Sequence, residues 1–381
     1  MGNARLNMKS LKDGHRKAIG LEKPSIESYV VPKKPTERIL ERYFTPEIVD
    51  LLKDVHVHVV KKAWFIMAHS LLDAGAVVLD AGCHDGETTY TMAVLHPDCK
   101  FIGLDIDAAL IKKANQKFSL PNLSFQVGNI YTDLGEENYD LIINSFFLHE
   151  VYSASFYNEK LIQLALEKQY KALRSNGTLL VRDYVNPNPA EYVLIEFTDK
   201  IASGDTFETL SEAELLIWFS DHARSKSLND DVFGGSGFFL EELPPNYPGT
   251  RLFRIPAKWA NEFILRKNNR EKLREELTKE YAFFTETEFR KHLRDLGARV
   301  AYSAPHWDEG FIKARYTGAI RLYKEDGTKI GPPATSHMIV AQKVENNASQ
   351  VLMERRASRA KTGSVFLRTV KDERTGAITD I

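Results

Sequence analysis

Val77-Val78-Leu79-Asp80-Ala81-Gly82-Cys83-His84-Asp85-Gly86 is the stretch on which the fold turns. It opens as a short apolar run, suited to a strand buried on both faces, and passes into a turn with two glycines four positions apart. Glycine permits a close backbone approach that a side chain would block, so such a turn lets a ligand lie against the main chain. Glu87 to Leu95 then reads as a helix. The rhythm continues outward with Phe101 to Asp105 as a second buried strand, Ala108 to Phe118 as a helix and Leu123 to Val127 as a third strand. Tyr139 to Asn144 is a fourth strand, Asn158 to Leu173 a helix, and Gly177 to Tyr184 a fifth strand. This alternation predicts an α/β fold: a doubly wound, mostly parallel sheet with right-handed crossovers and its ligand at the carboxyl ends of the strands.

After Tyr184 the alternation stops for the hundred residues from Val185 to Phe284. Ser211 to Ser220 and Lys258 to Tyr281 look helical, so a largely helical insertion between strands 5 and 6 is expected here, with its many aromatic residues mostly forming its own core. Thr285 and Glu288 form a capping box for a helix ending at Gly297, and Arg299 to Ser303 and Met338 to Val344 complete the sheet. Glu325-Asp326-Gly327 between them is a hairpin turn signal. The expected division is a flexible arm at 1–41, helices at 42–72, a core at 73–184, an insertion or lid at 185–284, completion of the core at 285–344, and a basic tail or the start of a further segment at 345–381.

The 381 residues include 51 Lys and Arg against 52 Asp and Glu, so no global field draws the protein to a nucleic-acid backbone or an anionic membrane. Cys83 and Cys99 are too few for a disulfide framework or a zinc site built on cysteine pairs, and they fit a reducing cytoplasm. No leader-like apolar stretch precedes Gly20, and no window approaches the ~18 uncharged apolar residues of a membrane span. A soluble cytoplasmic protein without a metal is the expectation; the oligomeric state is open.

Asp105 ends the second strand, 19 residues after Gly86, where an acid can accept hydrogen bonds from a ribose diol. With the glycine turn it resembles the class I S-adenosylmethionine-dependent methyltransferases, whose first motif is an acid followed by two glycines. That donor has no phosphates and needs no third glycine. The resemblance covers roughly Leu72 to Tyr184 and resumes from Phe284 to Val344. It implies a Rossmann-like methyltransferase fold, S-adenosyl-L-methionine as cofactor, Asp80, Gly82 and Gly86 along the methionine part, and Asp105 on the ribose. Asn129 falls where the family often carries an acid near the adenine amine, and its carbonyl can still accept that hydrogen bond. Cys83, Ile106, Ile130 and Asn144 complete the expected cofactor set.

Leu148-His149-Glu150-Val151 follows the fourth strand and looks like a stretch seen in many small-molecule methyltransferases. A neutral acceptor must lose a proton, which makes His149 the first candidate base, with Glu150 and Tyr152 beside it. Packing or cofactor binding at a helix start is the alternative for His149. Asp183 and Tyr184 face the same crevice. His56 and His58 point to different faces of a helix and do not form a joint metal site, and His306 lies in a loop after the sixth strand. A small or medium organic acceptor is therefore expected. The alternatives are an RNA or protein methyltransferase with basic ends as clamps, or a non-catalytic module of a larger protein.

Overall fold

The computed structural model describes residues 42, 44–70, 72–187, 191–198, 206–224, 236–316, 320–344, 369–371 and 378–380. The arm at 1–41 and most of the basic tail, including Ser364 to Leu367, lie outside them. The chain divides into two compact units, 1–60 and 61–381. The first contains α1 (Pro46–Leu52), with proline in its first turn, and the start of α2 (Val57–Ala68). His56 and His58 stack there at 4.9 Å, against the expectation of divergent faces, because His56 precedes the helix and its Nδ1 accepts from the His58 amide.

Seven strands form the main sheet of the second unit: β1 (Val77–Ala81), β2 (Lys100–Asp105), β3 (Leu123–Val127), β4 (Tyr139–Ser145), β5 (Leu173–Asp183), β9 (Arg299–His306) and β12 (Ser336–Gln342). Their order is β3-β2-β1-β4-β5-β12-β9, with β12 antiparallel to both neighbours and the rest parallel. Val78, Leu141, Ile143 and Leu180 pack one face against Ala63 and Ile66 of α2. Leu79, Ile142, Leu179 and Val181 join the core on the other face. Burial on both faces explains the unbroken apolar runs. The crossover helices are α3 (Glu87–Leu95), α4 (Ala108–Lys117), α5 (Leu148–Ala154) and α6 (Glu159–Ala172). Asp107 caps α4 by accepting from the Ala109 and Leu110 amides.

The segment after β5 departs from the largely helical expectation. It contains β6 (Tyr192–Thr198), β7 (Glu241–Leu243) and β8 (Thr250–Pro256), which pair with β10 (Ile320–Lys324) and β11 (Lys329–Ile330) in a five-stranded sheet of order β11-β10-β6-β8-β7. Residues 320–330, expected to complete the main sheet, therefore serve this second one, and Glu325-Asp326-Gly327 turns the β10–β11 hairpin. β6 escapes a local reading because Glu196 interrupts its apolar run. That carboxylate is wholly buried and accepts from Thr250, Tyr323 and the Asn246 amide. Helices α7 (Glu212–His222), α8 (Ala257–Arg266) and α9 (Arg270–Glu275) cover the sheet, and Phe197, Phe219, Phe253 and Phe263 fill its core. α10 (Glu286–Asp295), with its Thr285–Glu288 capping box, and α11 (Glu309–Tyr316) precede and follow β9 in the chain, and His306, expected in a loop, is the last residue of β9, in register with Ser336. Strands β13 (Thr369–Lys371) and β14 (Ile378–Asp380) pair with each other. No helix among the described residues is long and apolar enough to cross a membrane.

Candidate active site

The turn after β1 is drawn tight by two backbone bonds: the Gly82 and Cys83 amides both donate to the Leu104 carbonyl of β2, at 2.8 and 3.1 Å. This needs φ of +72° at Gly82, in the left-handed region that glycine tolerates best. A cavity of about 420 Å³ opens above it at the carboxyl ends of the strands. Its wall includes Gly82, Asp105, Ile106, Asn129, Ile130, Phe147 and Glu150. Asp105 is preorganised: its carboxylate accepts the His84 amide at 2.8 Å and the Asp107 amide at 3.0 Å, and retains lone pairs for further donors. The Asn129 side-chain Oδ1 accepts the Tyr131 backbone amide at 2.9 Å, and the Asn129 backbone N–H donates to Asp133 Oδ2 at 2.7 Å. Asp133, not singled out from sequence, thus shapes the turn that presents Asn129.

Five of the sequence-derived positions stand elsewhere. Asp80 is buried under the turn, accepts from Thr89 Oγ1 at 2.6 Å, and has its pKa raised by burial against the pull of Thr89 and Lys62. Cys83 is buried against Gly103, and burial drives its thiol pKa upward. Gly86 caps α3, and a Cβ there would lie 2.5 Å from the Phe125 ring, so this glycine permits helix–strand packing. Asn144 is fully buried and exchanges two hydrogen bonds with Gln169, at 2.6 and 3.0 Å. Tyr152 is buried and stacks on Phe283 at 5.1 Å. A polar residue at a strand end meets either ligand or protein, and here the protein supplies the partner for Asp80 and Asn144.

His149 also lies behind the wall. Its Nδ1 is 2.7 Å from Asp183 Oδ1, and its ring lies against both Tyr184 and Tyr281, which stack on each other at 5.0 Å. Burial pushes its pKa down, but Asp183, helped by Glu150, outweighs that and raises it to about 9. The imidazole is therefore charged at neutral pH, which departs from the expectation of a base poised near 7. Glu150 faces the cavity and is anchored by Lys279 at 2.9 Å; burial acts to raise its carboxyl, and the stronger pull of His149 and Lys279 holds it at about 2. Lys279 and Tyr281, missed in the sequence, come from the chain returning from the second sheet. That return is pinned by Glu280, which pairs with Arg224 and Lys258, and by Glu262, which accepts the Tyr281 and Ala282 amides.

A family model described as a methyltransferase domain matches residues 72–228. Over this stretch the chain is similar to that family, in keeping with the resemblance carried by its glycine turn and Asp105. The chain is 31% identical over 134 residues to trans-aconitate 2-methyltransferase of Deinococcus radiodurans, covering 35% of this chain and 46% of that one. It is 34% identical over 77 residues to the protein of the same name from Methylobacterium radiotolerans, covering 20% and 29%. The chain thus spans less than half the length of these curated relatives. A solved S-adenosylmethionine-dependent methyltransferase of Methanosarcina mazei is 15% identical, with 73% of this chain and 97% of that one covered and a TM-score of 0.39. S-adenosylmethionine, the methyl donor that the resemblance implies, suits the cavity in that Asp105 offers an oriented acceptor near Gly82, where the absence of a Cβ lets the Phe147 ring pack onto the turn.

Proposed function

We propose that this chain is a methyltransferase for a small organic acceptor, with S-adenosylmethionine held in the cavity above Gly82. The convergence of Gly82, Asp105 and Asn129, from three different strand ends, on one cavity carries the reading. The donor supplies an electrophilic methyl on a sulfonium sulfur. Asp105 would hold the ribose hydroxyls, Asn129 and Ile130 the adenine side, and Gly82 the methionine side. The segment 185–284, with the second sheet, would cover the acceptor end, joined to the site through Lys279 and Glu150.

We assign His149 a positioning role in place of the base role, because a charged imidazolium locked to Asp183 has no lone pair to offer at neutral pH. It would orient Glu150 at the cavity wall. Acceptors whose attacking atom is already anionic fit this arrangement best, and the two trans-aconitate 2-methyltransferase relatives make small organic acids the first compounds to assay.

Calorimetry with S-adenosylmethionine and S-adenosylhomocysteine tests the donor reading; no heat from either at millimolar concentration would overturn it. Asp105→Ala should weaken S-adenosylhomocysteine by ~1–3 kcal/mol, the worth of a charged acceptor. It should also lower stability by roughly 1 kcal/mol, since the His84 and Asp107 amides lose their partner. Unchanged affinity would assign the ribose to another residue.

A further inference from the structure

Among the described residues, most buried cations are paired with carboxylates. Arg266 meets Glu262 at 2.8 Å, Lys267 meets Glu212 at 2.5 Å, and Lys258 meets Glu280. Arg182, at the carboxyl end of β5 and 9% exposed, has no carboxylate within ion-pair distance among the described residues. Its guanidinium carbon lies 4.7 Å from the Phe65 ring and 4.9 Å from the Phe146 ring, and the guanidinium's one hydrogen bond among the described residues is a long 3.5 Å from Nε to Ser336 Oγ. Lys62 of α2 places its Nζ 6.0 Å from the same Phe146 ring and likewise has no ion-pair partner among the described residues. Ser145 is the register partner of Arg182 on β4, so the two side chains share a face of the sheet, and its buried Oγ has no hydrogen-bond partner.

Two cations and an orphan hydroxyl gathered at the carboxyl ends of β4 and β5 are costly unless an anion completes them. Burial lowers the pKa of Lys62; Asp80, and more weakly Asp85 and Asp183, act against this, while the charge of Arg182 adds to it. The place is suited to a ligand. The Phe146 amide donates to the Arg182 carbonyl at 2.7 Å, and the next residue, Phe147, lines the cavity and lies over Gly82. A guanidinium fork with free terminal nitrogens, an ammonium and a hydroxyl are the donors that recognise a carboxylate.

We propose that Arg182, Lys62 and Ser145 form a carboxylate-binding subsite around Phe146, beside the cavity wall at Phe147. The proposal rests on the methyltransferase reading for its position but not for its chemistry. The carboxylate is either that of the acceptor or that of the donor's own methionine moiety, and one set of measurements separates the two.

The test is calorimetry of the full chain, Arg182→Met and Lys62→Met with S-adenosylhomocysteine and with 5′-methylthioadenosine, which lacks the amino-acid carboxylate. Thermal shifts with citrate and succinate, and with their neutral methyl esters, accompany it. A loss of about 10-fold or more for S-adenosylhomocysteine with 5′-methylthioadenosine unchanged assigns the subsite to the donor. Unchanged S-adenosylhomocysteine affinity, with stabilisation by the acids and not by the esters in the wild-type chain alone, assigns it to the acceptor. Variants that match the wild type in both ligands and in every thermal shift overturn the proposal. Absence of S-adenosylhomocysteine binding by the wild type would instead overturn the donor reading, with the acid series still testing the subsite. Should Arg182→Met not fold, Lys62→Met and Ser145→Ala provide the same comparison.

Discussion

Gly82→Val is expected to abolish donor binding and to lower stability together. The residue sits at φ +72°, where a non-glycine residue costs ~1–3 kcal/mol and a β-branched one lies toward the upper end. Its Cβ would fall 2.0 Å from a Phe147 ring carbon, so the ring must leave its place or the turn must open. Opening the turn breaks the paired bonds to the Leu104 carbonyl that set the cavity floor. Affinity for S-adenosylhomocysteine should fall by more than ~100-fold, read by calorimetry, and the melting temperature should drop by several degrees. The double variant Gly82→Ala with Phe147→Ala makes room for the Cβ and should recover part of the stability, leaving the backbone cost. A Gly82→Val chain with wild-type affinity would place the donor elsewhere.

Asp183→Asn should produce the largest loss of stability. Asp183 accepts from His149 Nδ1 and from the His149 and Tyr184 amides, and it lies among the least exposed residues of the site. Removing one partner of a buried charged pair costs ~3–5 kcal/mol. The pH dependence has a definite sign. His149 has a folded-state pKa raised from 6.5 to about 9, so in that window the folded chain holds a proton that the unfolded chain has released. The contribution of the pair is complete below pH 6.5 and disappears as pH rises through about 9. Denaturant titrations of the wild type should therefore show stability falling across this window, by up to ~1.4 kcal/mol per pH unit from this group. The Asp183→Asn chain should lose that slope, and the two curves should converge above the window. Parallel curves would show that His149 is neutral in the folded chain.

The main sheet was legible because strands buried on both faces leave a contiguous apolar signal: Val77 to Leu79, Phe101 to Leu104 and Leu141 to Ile143 each read as strands without reference to anything distant. The second sheet was not. β6 carries Glu196 in its middle, and the residues that satisfy it, Thr250 and Tyr323, stand 54 and 127 positions away in the chain. β5 begins earlier than the sequence indicates, since Arg174, Ser175 and Asn176 are polar but continue its span.

The same division runs through the site. Glycine at 82, an acid at 105 and the strand–turn–helix order are local properties, because a left-handed turn and a strand-end carboxylate depend on the residue itself and its immediate neighbours. By itself the sequence thus determined which chain segments meet the cavity. Whether a polar group there faces ligand or protein depends on the strand across the sheet and the helix above it. Asn144 found Gln169, His149 found Asp183, and Glu150 found Lys279, at separations of 25, 34 and 129 residues. Arg182 found no carboxylate among the described residues, although its register partner and the rings on which it lies are fully in place. Only the tertiary structure decided these pairings, because the field at a buried charge is set by atoms a few ångströms away in space, whatever their distance along the chain.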